Sequence, residues 1–445
     1  MESHSQGDLL RSWKEIASYL GVDERTCARW EQAFGMPVHR AGEGASKSRV
    51  FAYRSELDLW FQETFKNSSL EPGQNEIRAP RPAIGIAVLA AIILVGTGVF
   101  FAIKGILPSL SARAQPADFR FEGTVLVVVD QHGRELFRHD PKIADLATEL
   151  YREHFQTKTA VGTGQNLPYL IIRDIDRDGW KEVLFSTHTR SEFGEGDLFC
   201  FNHRGTTIWH YKVGHDMIYG NRAYSNDYRI RGIDCVDLDG DGTLETVVIG
   251  VQKPEWPCQF SILDCRGNRI GEYWNSGYIS DYAFRDIHGN TRQEIVIGGV
   301  NNEYAAGFVA VFDSADVHGG SPQQEDEYTC KSLAPGSQKY YFLIPRTDVD
   351  KIKFVVESVG EVGFLSNGRL SVKSGQTSLY YEFSPDMQLL DLKDSHTITQ
   401  MHKELKLQGL VKSTLNAEYY KALKRNVTYW NGKIFTKTPS MSNPW

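Results

Sequence analysis

Cysteine pairs at metal or redox spacing are missing from this chain. Its six cysteines, Cys27, Cys200, Cys235, Cys258, Cys265 and Cys330, include no C-x-x-C pair. That removes zinc-ribbon and thioredoxin-type chemistry. Five of them follow residue 104, so at least one thiol there is expected to stay unpaired. Cys258 and Cys265 are the nearest candidates for a disulfide, and burial as small apolar residues is the alternative. Basic excess is missing too. With 49 Lys and Arg against 56 Asp and Glu, a net charge of -7, the whole chain is no electrostatic binder of nucleic acid, and charge has to be weighed part by part. No phosphate loop and no Ser-His-Asp or Cys-His constellation stands at a working spacing, and the 13 histidines are scattered. No enzyme is expected.

Long apolar runs are absent with one exception, Pro82 to Ile103, which carries no charge and lies between Arg81 and Lys104. About 20 apolar residues in a helix match the ~30 Å hydrocarbon core of a bilayer. The run is too far from Met1 for a cleaved signal peptide and has no small-residue cleavage pattern behind it. Residues 82–103 are therefore expected to form a single transmembrane helix that stays as an anchor and puts its two flanks on opposite sides of a membrane. Arg78 and Arg81 before the run and Lys104 and Arg113 after it nearly balance, so charge does not orient it. Ala83, Ala87 and Ala91 make a small-residue stripe on which two such helices can pack.

Before the run, Ser12 and Glu15 stand as a capping box, with Ser12 capping and Glu15 reaching back to the Ser12 amide. Trp13, Ile16, Ala17 and Leu20 then share one helical face. Gly21-Val22 breaks this helix, and Asp23 can cap a second from Glu24 to about Ala33. A tight Gly-containing turn between two helices is the helix-turn-helix pattern. Val38 to Arg40 and Ser48 to Tyr53 read as a hairpin around a Gly-rich loop, and a third helix is expected from Ser55.

The run Trp13-Lys14-Glu15-Ile16-Ala17, then Leu20-Gly21-Val22, Arg25-Thr26, Arg29-Trp30-Glu31 and Met36-Pro37-Val38 resembles the winged helix-turn-helix of MerR-type regulators and excisionases over about residues 9–65. The resemblance implies that the second helix enters the DNA major groove. It makes Arg25, Thr26 and Arg29 the contacts on that helix, and His39, Arg40, Lys47 and Arg49 the contacts of the wing. An arginine fork takes two acceptors on guanine or phosphate. Residues 1–80 carry ten Lys and Arg against twelve Asp and Glu, so one head is expected to bind weakly and to need a homodimer on DNA. The coiled coil through which MerR-type proteins pair is missing. Instead residues 67–81 are rich in Ser, Pro, Gly and Glu and read as a flexible linker.

After about Asp118 the pattern changes to short apolar strands between Asp- and Gly-rich turns. Asp174 to Glu182, Asp237 to Glu245 and Asp286 to Glu294 each lead into an apolar strand. In the third, His288, Asn290 and Thr291 replace two Asp and the Gly. A strand-turn-strand unit alternates with them around Asp130 and Gly133, Asn202 and Gly205, and Asp264 and Gly267. Repeats at roughly 50–65 residues without intervening helices favour a β-propeller. Carboxylates at alternate positions followed by Gly suit a hard cation. Tight Asx-type turns without metal are the alternative.

These units resemble the FG-GAP or VCBS repeats of integrin-like β-propellers over about residues 118–360. The resemblance implies Ca2+ held by Asp174, Asp176, Asp178 and Glu182 with the Trp180 carbonyl, and by Asp237, Asp239, Asp241 and Glu245 with the Thr243 carbonyl. The last ligand is often Asp in that family. The expected fold class is thus multidomain: a small α-rich winged helix-turn-helix (1–66), a linker (67–81), a single transmembrane helix (82–103) and an all-β propeller-like C-terminal domain (118–445) with a divergent end. The expected protein is a one-component transcription regulator of the cytoplasmic membrane, with its N-terminus on double-stranded DNA and its C-terminal domain meeting an extracytoplasmic ligand or protein. A membrane-anchored adhesion or assembly protein, whose helix-turn-helix recruits proteins, is the alternative.

Overall fold

The computed structural model describes residues 9–20, 27, 31, 36–41, 49–65, 114–153, 155, 167–190, 196–252 and 256–443. The chain divides into two compact units, Met1–Leu107 and Pro108–Trp445. The linker 67–81, the expected membrane span 82–103, and Arg25, Thr26, Arg29 and Lys47 lie outside the described residues. No helix among the described residues is long and apolar enough to cross a membrane.

In the first unit, helix α1 (Trp13–Leu20) begins where Ser12 marks it. Ser12 Oγ accepts the Glu15 amide at 3.2 Å, but the Glu15 carboxylate accepts the amide of Arg11, at 2.8 Å, rather than that of Ser12. The chain enters this turn from a short strand, β1 (Leu9–Leu10), that the sequence pattern does not announce. Strands β2 (His39–Ala41) and β3 (Arg49–Tyr53) pair antiparallel with His39 opposite Phe51. β1 adds to the other edge, giving the order β1-β3-β2. Helix α2 (Arg54–Phe65) follows directly. Ile16, Ala17, Cys27, Met36, Ala52 and Leu57 form the core, with Trp13, Leu20, Val38 and Trp60 packed around them. The Tyr19 hydroxyl donates to Asp58 at 2.9 Å, tying α1 to α2.

The second unit is mostly β with few helices. Strands β4 (Asp118–Glu122), β5 (Val125–Val129) and β6 (Glu135–His139) make the first antiparallel sheet. β7 (Leu170–Arg173), β8 (Glu182–Ser186), β9 (Asp197–Phe201) and β10 (Thr207–Lys212) make the second. A small hairpin, β11 (Met217–Tyr219) with β12 (Arg222–Tyr224), precedes the third. That third sheet holds β13 (Tyr228–Val236), β14 (Glu245–Gln252), β15 (Cys258–Leu263) and β16 (Arg269–Asn275). The fourth is built on β17 (Ile279–Arg285), β18 (Glu294–Asn301) and β19 (Ala306–Asp313), with β20 (His318–Gly320) crossing to the third sheet beside β16. β21 (Tyr340–Leu343) continues the fourth sheet. A fifth holds β22 (Val359–Phe364), β23 (Leu370–Ser374), β24 (Tyr380–Phe383) and β25 (Leu389–Lys393). Near the end of the chain, β26 (Thr428–Trp430) returns to β21, with Tyr429 opposite Phe342.

Consecutive meander sheets of this kind have the layout of propeller blades. Central strands β14 and β18 are buried along their whole length, whereas outer strand β10 is mostly exposed, with Trp209 its one buried residue. Apolar clusters join each sheet to the next: Phe121, Tyr151 and Phe185 between the first two, Leu184, Cys200 and Ile233 between the second and third. Ile262 and Phe312 serve the third and fourth, and Val296 and Val372 the fourth and fifth. Among the described residues no such cluster joins the fifth sheet to the first. Each fully buried Val, Leu or Phe contributes about 1.5–3 kcal/mol, while exposed pairs such as Arg138 with Glu122 and Glu135 are screened by solvent and add little. The stacking of sheets therefore rests on apolar burial.

Helices α3 (His396–Leu407) and α4 (Ala417–Asn426) cover the last sheet through Ile398, Leu405 and Leu423. None of the six cysteines is in a disulfide, and five are buried. Of the two readings for Cys258 and Cys265, a disulfide is not formed. Cys258 instead fills the core of the third sheet as a small apolar side chain.

Candidate metal loops and a candidate nucleic-acid wing

Three acidic loops occupy the same place in successive sheets, between the first two strands: β7 to β8, β13 to β14, and β17 to β18. Their backbones share one course. Positive φ falls at the fourth position (Arg177 +64°, Gly240 +80°, Gly289 +70°) and at the sixth (Gly179 +85°, Gly242 +85°, Thr291 +71°). The closing glutamate does the same work in each. Glu182 accepts the Ile175 amide at 3.0 Å, Glu245 that of Leu238 at 2.8 Å, and Glu294 that of Ile287 at 2.6 Å. Identical bonds set the loops side by side, from the Leu244 amide to the Ile175 carbonyl and from the Gln293 amide to the Leu238 carbonyl, both 2.8 Å. Arg177 reaches across to the Asp241 carbonyl at 2.6 Å.

The structure brings Asp174, Asp176 and Glu182 together, and likewise Asp237, Asp239 and Glu245, with one carboxylate oxygen from each within 4.8 Å of the others. Asp178 and Asp241 stand outside these groups of three. Their oxygens accept the amides of Trp180 at 2.7 Å and Thr243 at 2.6 Å, two residues on. The Trp180 ring lies flat on His203, 3.9 Å between centroids. Burial, then the neighbouring aspartates, push the carboxyls of Glu182 and Glu245 up to about 7. Asp174 Oδ1 is shielded and has no hydrogen-bond partner. A charge conflict is what a divalent cation relieves, and at the first group the unanswered oxygen of Asp174 adds to it; both groups fit one through hard oxygen donors.

The third loop keeps the backbone and weakens that conflict: burial still raises the Glu294 carboxyl, but His288 opposes the rise. Asp286 accepts amides from Gly289, Asn290 and Thr291 at 2.5–3.1 Å. Burial works against its charge, but these amides outweigh it and hold its carboxyl below the ordinary value. His288 stands where the other loops have Asp, 3.7 Å from Glu294. This loop closes on itself through the amides that Asp286 accepts.

On the wing, both described candidate side chains are already engaged. His39 Nε2 lies 2.7 Å from Glu56 and its ring stacks on Phe51 at 5.2 Å. Arg40 makes a two-pronged contact with Glu31, at 2.5 and 3.0 Å, whose hydrogen bond and charge hold the guanidinium protonated. Arg49 sits in β3 opposite Ala41. Sequence reasoning placed the wing strands but missed these carboxylate partners, because Glu31 and Glu56 come from separate segments that only the fold brings to the hairpin.

No family model and no curated protein matches the chain. Among solved structures, the V. cholerae biofilm matrix protein Bap1 is similar at 14% identity over 51% of this chain and 36% of that one, with a TM-score of 0.22. The Dos1 propeller is similar at 8% identity over 62% and 65% of the two chains, with a TM-score of 0.27. The match thus spans just over a third of the first and just under two thirds of the second. At these scores the fold assignment rests on the sheets themselves.

Proposed function

We propose that the chain is a membrane-anchored one-component transcription regulator. One observation carries this reading: elements of two unlike kinds, a helix and hairpin group within residues 9–65 and a mostly-β group from Asp118 onward, stand on either side in the sequence of a charge-free apolar run at residues 82–103. A winged helix-turn-helix head in the cytoplasm binds double-stranded DNA through Arg25, Thr26 and Arg29. The anchor crosses the cytoplasmic membrane once, and an FG-GAP-like propeller with Ca2+ in its first two loops meets the signal outside. Two weak heads brought together on two half-sites gain affinity through effective concentration, so a ligand-driven change to a homodimer is the signalling step. Replacing Arg25 and Arg29 together by Ala tests the reading: promoter occupancy falls to background. Unchanged occupancy overturns it.

The engaged wing favours one second reading. Where Glu31 and Glu56 hold Arg40 and His39, a phosphate has to displace a carboxylate, and the head would serve instead to recruit proteins. Salt-dependent DNA binding by the full chain separates the two, because phosphate contacts give a steep negative slope. A reporter fused at the C-terminus and active only in the cytoplasm would overturn the orientation.

A further inference from the structure

We propose that the second unit holds a binding site for one neutral saccharide ring, in a cavity of about 340 Å3 between β11, β16, β26 and the 320–338 segment. The volume sits at the small end of ligand sites, which run from about 300 to 1,000 Å3, room for a single ring and not for a chain. Not one Asp, Glu, Lys, Arg or His is among the 18 residues that line it. A charged ligand would lose its water there and find no counter-charge, so ions, phosphates and amino acids do not suit the cavity.

What its wall offers is unsatisfied neutral polarity beside aromatic rings. Tyr219 Oη, Trp274 Nε1, Gln323 Oε1 and Gln338 Oε1 all belong to lining residues and have no hydrogen-bond partner. Trp274 is 0% exposed, Gln338 2% and Tyr219 3%. Native proteins leave few such atoms, and here four belong to residues around one space. They comprise a donor, two acceptors and a hydroxyl that serves as either. Tyr328 and Trp430 add aromatic side chains to the lining residues. A pyranose presents the matching surface, an apolar C–H face rimmed by hydroxyls that both donate and accept. Gly336 lets the wall segments pack closely: a Cβ there would lie 2.1 Å from Gln338 Oε1 and 2.5 Å from the Gly320 carbonyl. Asn443 fastens one end, donating to the carbonyls of Gly336 at 3.1 Å and Gln338 at 2.8 Å.

The site supplies the sensing unit with a ligand class, yet it stands on the second unit alone. A saccharide titration and a DNA-binding assay fail independently. The full chain in lipid nanodiscs is titrated with glucose, galactose, mannose and N-acetylglucosamine, and with glucuronate and glucosamine as charged rings, followed by tryptophan fluorescence and calorimetry. At least one neutral sugar binds saturably, and its charged counterpart binds at least about tenfold more weakly. Gln323→Ala and Tyr328→Ala, both at partly exposed positions, each weaken binding by about tenfold with the melting temperature retained. If one variant fails to fold, the other decides. No saturable binding by any neutral sugar up to about 10 mM, equal binding of the charged rings, or full affinity in the folded variants overturns the proposal.

Discussion

Gly205 and Gly267 sit at φ +82° in the outer turns of the second and third sheets. Each lies against an aromatic ring of the preceding sheet: a Cβ on Gly205 would stand 2.5 Å from Phe137, and one on Gly267 2.6 Å from Trp209. Gly133, at φ +74°, has nothing within 4 Å of its Cβ direction. Denaturant unfolding should therefore separate them. Gly133→Ala carries the backbone penalty alone, about 1–2 kcal/mol, whereas Gly205→Ala and Gly267→Ala add overlap with a ring, for about 2–4 kcal/mol in all. Equal losses at the three sites would contradict the packing described. A second residue with a pH signature is Glu357, fully buried beside the fully buried Asp350. Burial, then the charge of Asp350, raise its carboxyl well above the ordinary 4.5. A raised folded value stabilises fully below about 4.5, and that stability is lost as pH rises through the folded value. Thermal melts of Glu357→Gln, neutral throughout, should decline less toward alkaline pH than those of the parent; parallel curves would contradict the assignment. The turn glycines were legible in the sequence as repeats. Glu357 was not, because nothing in its neighbourhood in the chain marks it as buried.

Among the elements, the acidic loops show where a motif is legible and where it stops. The alternating carboxylates of Asp174 to Glu182 and Asp237 to Glu245 located both candidate sites, and His288 with Thr291 marked the third loop as altered. Spacing alone could not show that Asp178 and Asp241 turn back onto their own loops, nor that the loops are bonded to one another. The fifth sheet was legible only in part, for the same reason in reverse. Its turn from Leu365 to Arg369 repeats the bonds of the earlier turns, with the Leu365 amide on the Arg369 carbonyl at 2.9 Å, but carries no Asp or Asn at its first position. Calcium should raise the melting temperature of the chelated full chain, each site adding about 2.7 kcal/mol at a hundredfold excess over its Kd. Asp174→Asn and Asp237→Asn should each remove one site's share, and Asp286→Asn should leave the calcium response unchanged. A response lost in the third variant, or kept in a variant lacking both of the other two aspartates, would contradict the assignment of sites. At neutral pH and above, where Glu182 and Glu245 lose protons, the gain should exceed that at pH 5.

At the scale of the whole molecule, the chain joins two folds of different character. The mostly-β unit was legible from strand length and turn repeats. The first unit's strand order was legible only in part, since Leu9–Leu10 is too short to show a period. The functional claim rests on the two kinds of fold before and after residues 82–103 in the sequence and on the basic residues Arg25 and Arg29. The most direct measurement is genome-wide mapping of DNA bound by the full-length protein in cells, alongside its Arg25→Ala and Arg29→Ala double variant expressed at the same level. The account predicts discrete enriched sites for the parent protein that fall to background in the double variant. Enrichment no greater than background for the parent, or the same sites in both proteins, would contradict it.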